Sequence, residues 1–228
     1  MTTKITWLSH ATWLIETGDQ RVLVDPFLTD NPAASAKPED FNDVSHILIT
    51  HGHFDHVADA ASIANTSGAT LIANYEIAQW FATEHKVQLT VGMNLGGTTE
   101  TPFGTVKMIP ALHSSGLPDG SYGGEPAGFL LTINKKRIYF AGDTAVFSDM
   151  KLYANGVDVA VLPIGGLFTM GIEDSLTAIQ LIEPKVVIPA HYNTWPPIEQ
   201  DASAWAKRVN DTCSANPVLL KVGENYEV

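Results

Sequence analysis

The stretch Leu48-Ile-Thr-His-Gly-His-Phe-Asp-His-Val-Ala-Asp59 sets His51, His53, Asp55 and His56 within six residues, directly behind an apolar run. Three neighbouring imidazolium rings would repel one another at neutral pH, whereas a divalent cation binds imidazoles neutral and removes that cost. In an extended loop side chains alternate, so His51 and His53 point the same way and can reach one ion. Asp55 and His56 stand where the next helix begins, Asp55 near its positive end, and can face a second ion.

Three more metal-competent side chains end apolar runs as His51 does. His113 follows residues 106–112, Asp143 follows 138–142 and His191 follows 186–190. Ligands and chemistry gather at the carboxyl ends of strands in α/β sheets, where loops carry polar groups beside a rigid scaffold. One histidine in such a place means little, since it reads more readily as a partly buried, hydrogen-bonded structural group. Four strand ends sharing the feature argue for a common centre.

The surrounding elements agree with that scaffold. β-branched, aromatic and apolar residues between turn formers predict strands over 5–8, 13–16, 21–25 and 47–50. The alanine-rich segment 55–65, closed by Gly68, predicts a helix. A strand at 70–73 and a helix at 76–84 follow, with Ile77, Trp80 and Phe81 on one helical face. A β region spans 87–109, and a hairpin joins strands 128–133 and 137–141 around Asn134-Lys135-Lys136. The last third alternates strands 157–163, 185–189 and 218–221 with helices 172–182 and 200–213. Sheets covered by helices on their outer faces follow from this order.

Composition narrows the function. The 228 residues are 45% hydrophobic, enough for a full core, and no linker divides them, so residues 1–228 read as a single α/β domain. A formal net charge of -12 repels polyanions, which argues against a nucleic-acid partner. No segment is long and apolar enough to span a bilayer, and the start does not read as a secretion signal, so no membrane association is expected. Cys213 is the only cysteine, which is compatible with a cytoplasmic location.

Thr50 to His56 (THGHFDH), with His113, Asp143 in AGDT and His191 in PAHYNT, resembles the metallo-β-lactamase superfamily, whose motif is H-x-H-x-D-H followed by His, Asp and His. WLSHAT, VDPFL, PALHSSG, FAGDTAVFSDMK, LPIGGLFTMG and VVIPAHYNTWPP extend the likeness over nearly the whole chain. Together they are similar to the small bacterial metal-dependent hydrolases related to ascorbate-6-phosphate lactonase and to the phospholipase D that cleaves N-acylethanolamine phospholipids. The resemblance implies a four-layer αβ/βα sandwich, two mixed β-sheets covered by helices, with metals at one edge between the sheets. It assigns His51, His53 and His113 to a first ion and Asp55, His56 and His191 to a second, with Asp143 bridging both. Asp25, in Val24-Asp25-Pro26, would support a ligand histidine from behind, although an Asp-Pro turn after a strand explains it equally well. Ser9, Phe54 and Leu167 depart from the residues these hydrolases commonly carry, which bears on pocket shape and leaves the ligands intact.

The expected chemistry is hydrolysis of an ester, lactone or phosphodiester of a small molecule by a metal-bridging hydroxide, with Asp55 as the catalytic residue that orients it. Five histidines and two aspartates suit two divalent ions, zinc first, with manganese or iron compatible. No G-x-S-x-G elbow offers another nucleophile. The alternatives are an iron-dependent oxygenase of the same fold and a non-catalytic metal-binding module. His10, Tyr122, Met170 and Asn193 are candidate substrate contacts because they adjoin strand ends or glycine-containing loops. Homo-oligomer formation is compatible with the sequence.

Overall fold

The computed structural model describes residues 2–228. Among them fourteen strands form two seven-stranded sheets. In the first, β1 (Thr3–Trp7), β2 (Trp13–Thr17) and β3 (Gln20–Val24) make an antiparallel meander. β4 (His46–Leu48), β5 (Thr70–Asn74) and β6 (Thr90–Met93) extend it in parallel. In the second, β7 (Thr98–Thr101), β8 (Gly104–Pro110), β9 (Ala127–Ile133) and β10 (Lys136–Phe140) run antiparallel. β11 (Val159–Pro163), β12 (Val186–Ala190) and β13 (Asn216–Pro217) then add in parallel. The last strand, β14 (Asn225–Glu227), returns to the first sheet beside β1.

Period-2 alternation decides which residues go where. Trp13, Ile15, Val22 and Val24 point between the sheets and pack in one cluster with Val106, Phe129, Leu131, Ile138 and Phe140. Their neighbours Leu14 and Leu23 point outward and meet α2 (Ala60–Ser67) and α3 (Tyr75–Glu84) through Ile63, Ile77 and Phe81. On the far side α5 (Ile172–Ile182) and α6 (Ala202–Thr212) cover the second sheet with Leu176, Ile179, Trp205 and Val209. Asn74 and Asp201 cap α3 and α6 by accepting the backbone N–H of Ile77 and Ala204. The result is helix, sheet, sheet, helix: two mixed sheets flanked by helices, as expected.

Three elements differ from expectation. The helix expected over 55–65 is split into α1 (Phe54–Val57) and α2, because the Asp59 carboxylate between them accepts Leu28 N–H, Thr29 N–H and the Thr29 hydroxyl at 2.6, 2.9 and 2.6 Å. Those bonds tie the start of α2 to the chain that follows β3. Residues 218–221 are not a strand: the chain leaves the second sheet after β13 and crosses to β14. A short helix, α4 (Met150–Ala154), also stands where no element was expected.

Candidate metal centre

Five strands run out at one edge of the sandwich. β3 delivers Asp25, β4 continues through Ile49 and Thr50 to His51, and β8 leads through Ala111 and Leu112 to His113. β10 is followed by Ala141, Gly142 and Asp143, and β12 by His191. Gly142 lets two of these ends approach: its φ is +63°, and a Cβ there would lie 2.9 Å from Thr50 Cβ. Asp25 and His191 sit at φ 46° and 52°, the sparsely populated left-handed region, where each strand turns sharply.

His51, His53 and His113 each bring a ligand atom within 4.8 Å of the others. His51 Nε2 and His53 Nδ1 are 3.0 Å apart. The outer bond of His51 fixes its tautomer. The Thr50 hydroxyl donates to Asp25 at 2.6 Å, so it accepts from His51 Nδ1 at 3.1 Å, which leaves a lone pair on His51 Nε2. His53 Nε2 lies 3.2 Å from Ser114 Oγ, and in the tautomer that donates to this hydroxyl His53 Nδ1 presents a second lone pair to the first. Two facing lone pairs repel, and a shared cation resolves the repulsion.

A second group, His10, Asp55, His56 and His191, and a third, His51, His56 and Asp143, overlap with the first. Asp143 lies between the sets: its Oδ2 is 3.0 Å from His191 Nε2, 3.7 Å from His113 Nε2 and 4.0 Å from His51 Nε2, and its Oδ1 is 3.5 Å from His56 Nε2. Asp25 stands behind, accepting Thr50 N–H at 2.8 Å, the Thr50 hydroxyl, and His56 Nδ1–H at 2.8 Å. That bond keeps a proton on Nδ1 and turns His56 Nε2 toward Asp143. His56 Nε2, Asp143 Oδ1 and both ring nitrogens of His191 are buried without an aligned hydrogen-bond partner. An unpartnered buried polar atom costs about 1–3 kcal/mol, so this concentration fits residues that hold cations. Imidazole nitrogen and carboxylate oxygen are donors suited to zinc, manganese and iron alike.

The electrostatics show how much charge is packed here. Burial works to raise Asp143, but His191 and His56 beside it hold its carboxyl well below the usual range. Burial works to lower His191, yet the adjacent Asp143 outweighs it and pushes the ring up to about 9. His56, opposed by burial but faced by Asp143, Asp25 and Asp55, is raised well above its ordinary value. His51 goes the other way, lowered by burial and by His56.

His10 is fully buried, and its ring joins two parts of the chain far apart in sequence. Nε2–H donates to Asp55 Oδ2 at 3.0 Å, and Nδ1 accepts from the Thr194 hydroxyl at 2.9 Å. Burial, with His191 adding to it, lowers His10 to about 4, so the ring is neutral at physiological pH. It therefore buttresses Asp55 from behind.

In front of the cluster opens a cleft of about 710 Å³, reaching His53, Asp55, His113, Asp143 and His191. Its walls are Phe54, Leu117, Leu167, Phe168 and Trp195. None of the four expected substrate contacts lines it. His10 lies behind the ligands and Met170 is buried below. Tyr122 borders a neighbouring depression and donates to Glu125, while Asn193 accepts Gln200 N–H in another. Thr194, Ser114 and the aromatic wall carry no signal of their own in the sequence. Thr194 and Trp195 directly follow PAHYN, but nothing in the chain order tells that His10 reaches them.

A two-sheet sandwich with histidines and aspartates gathered at one open edge is the arrangement of a protein able to bind metal. The model of the beta-lactamase superfamily domain matches residues 20–192. A UPF0173 metal-dependent hydrolase of Pyrococcus abyssi is 48% identical over 229 residues, covering 99% of both chains, and one from Thermus thermophilus is 46% identical over 97% of both. Among solved structures, Igni18, a metallo hydrolase from Ignicoccus hospitalis, superposes with a TM-score of 0.89 at 33% identity, over 100% of this chain and 99% of that one. The chain belongs to the beta-lactamase superfamily and, within it, to the UPF0173 metal-dependent hydrolases. Among the described residues no helix is long and apolar enough to cross a membrane.

Proposed function

We propose that this metal-dependent hydrolase holds two divalent cations, zinc by preference, and cleaves an ester, lactone or phosphodiester bond in a small molecule. The observation that carries the reading is the overlap of three ligand groups through His51 and His56, with Asp143 between them. A cation pair there would lower the pKa of a shared water from about 15.7 toward roughly 7 and polarise the oxygen under attack. His51, His53 and His113 would hold one cation, Asp55, His56 and His191 the other, and Asp143 both.

The chain's own groups do the rest. Asp55, fixed through Oδ2 by His10, is an ionised acceptor at the cleft floor that can orient the attacking water. Asp25 and Thr50 keep the Nδ1 protons of His56 and His51 on the outer side, so that both inner nitrogens stay free to ligate. Residues 1–228 act as one domain in this reading, in the cytoplasm and without a nucleic-acid or membrane partner.

Chelator-stripped protein, reconstituted with Zn²⁺, Mn²⁺ or Fe²⁺ and assayed on p-nitrophenyl esters, lactones and bis-p-nitrophenyl phosphate, tests the reading. Activity on one bond class should vanish with the metal and return with it. Full activity in the stripped protein, or none on any class after reloading, refutes it.

A further inference from the structure

We propose that the cleft is built for a substrate whose non-reacting part is uncharged and apolar: an alkyl or aryl ester or lactone, in preference to a sugar phosphate or nucleotide. This rests on the hydrolytic reading above and narrows its substrate class.

Three observations point this way. First, outside the metal-competent groups the wall is mostly apolar, Ser114 being its one hydroxyl. Phe54 and Trp195 pack with buried Phe27 in a ring triad, centroids 5.8 to 6.0 Å apart, so the aromatic side is braced from below. Second, large apolar side chains stand open at the mouth: Phe54 is 57% exposed, Phe168 55% and Leu167 75%. Contiguous exposed apolar surface is uncommon away from binding sites. Leu167 is also held at φ 38°, a conformation leucine rarely adopts, and strain of this kind collects at ligand sites.

Third, the cleft offers no cation for a remote anionic group. No lysine or arginine is among the described residues lining it. The three arginines are engaged elsewhere: Arg21 with Asp43 and Glu16, Arg137 with the carbonyls of Tyr153 and Asn155, and Arg208 with Glu173. A phosphoryl or carboxylate tail far from the cluster would be desolvated against phenyl and isobutyl groups with no cationic partner, in a chain of net charge -12.

The test uses the metal-loaded protein and two matched probe sets. In kinetics, p-nitrophenyl acetate, butyrate and hexanoate are compared with the hexanoate ester ending in a sulfonate. In binding, N-butylhexanamide is compared with the same amide ending in a sulfonate, by calorimetry. Each added methylene should raise kcat/KM about fourfold until the cleft is filled. The sulfonate-ended ester and amide should lose at least about tenfold against their apolar counterparts. Phe168→Lys, an exposed position, should keep the metal content and improve the sulfonate-ended probes by up to about fivefold. Equal or better performance of the sulfonate-ended probes, or indifference to chain length, overturns the proposal. If no ester is cleaved while the apolar amide still binds at least about tenfold better, the hydrolytic reading fails and the cleft assignment stands. Cleavage without tail preference does the opposite: hydrolysis stands and the apolar cleft assignment falls.

Discussion

Replacing Asp25 with asparagine exchanges one carboxylate oxygen for an amide nitrogen at a buried junction, and the consequences can be followed atom by atom. Asp25 Oδ1 accepts Thr50 N–H at 2.8 Å, which the asparagine oxygen can still do. Oδ2 accepts both the Thr50 hydroxyl at 2.6 Å and His56 Nδ1–H at 2.8 Å. An NH₂ group in that place is a donor facing two donors. The relief open to His56 is to keep its proton on Nε2 and accept at Nδ1, which takes from Nε2 the lone pair a cation would need. Loss of such a support costs about 10–100-fold in metal affinity. Exchanging two hydrogen bonds to a charged group for neutral ones costs about 2 kcal/mol in folding stability. Competition with a chromophoric zinc chelator measures the first and thermal denaturation the second. The fold should survive, since shape and the Thr50 N–H bond are kept, while affinity for the cation assigned to Asp55, His56 and His191 drops. Wild-type affinity for both cations in a folded Asp25→Asn protein would refute the tautomer argument.

The remaining predictions concern backbone approach and pH. A Cβ at Gly165 would lie 2.2 Å from the His191 carbonyl oxygen, so Gly165→Ala must push the His191 backbone aside. About 1–3 kcal/mol of stability should be lost, with weakened metal binding, both read by melting with and without zinc; an unchanged melting temperature would contradict the close packing. For chelator-treated protein, the pairing of His191 with Asp143 raises its folded pKa to about 9. Its contribution is fully present below the unfolded pKa of about 6.5 and lost as pH rises through about 9. His10, lowered by burial to about 4, acts oppositely: its contribution is present above about 6.5 and lost as pH falls through about 4. The metal-free melting temperature should therefore decline on both sides of about pH 6.5, whereas metal affinity should climb from about pH 6.5 to 9 because ligation needs neutral imidazole. A metal-free protein that gains stability between about pH 7 and 9 would show that the carboxylates do not hold His191 charged.

Much of this arrangement could be read from the chain, because the candidate ligands are tied to strand ends and strands announce themselves by alternation. His51, His113, Asp143 and His191 each follow an apolar run, and the runs are the strands β4, β8, β10 and β12. The failures share a cause in long-range contact. The break between α1 and α2 depends on Asp59 meeting residues 28 and 29, which helix propensity does not register. The final crossing to β14 depends on an open edge beside β1, known only once the sheet exists. His10 read as a substrate contact because it adjoins a strand end, but its partners Asp55 and Thr194 lie 45 and 184 residues away. Ser9, a departure from the glycine common in these hydrolases and read as bearing on pocket shape, sits at φ 101°, a backbone conformation that favours glycine. Phe54 and Leu167, departures of the same kind, lie on the cleft wall.

Metal stoichiometry tests the central claim most directly. Protein stripped with chelator, reloaded with zinc, freed of excess by gel filtration and analysed by mass spectrometry of the elements should carry two equivalents per chain, falling to one or fewer in Asp143→Ala. One equivalent or none in the wild-type protein, or two retained in Asp143→Ala, would contradict a shared two-cation centre at the strand ends.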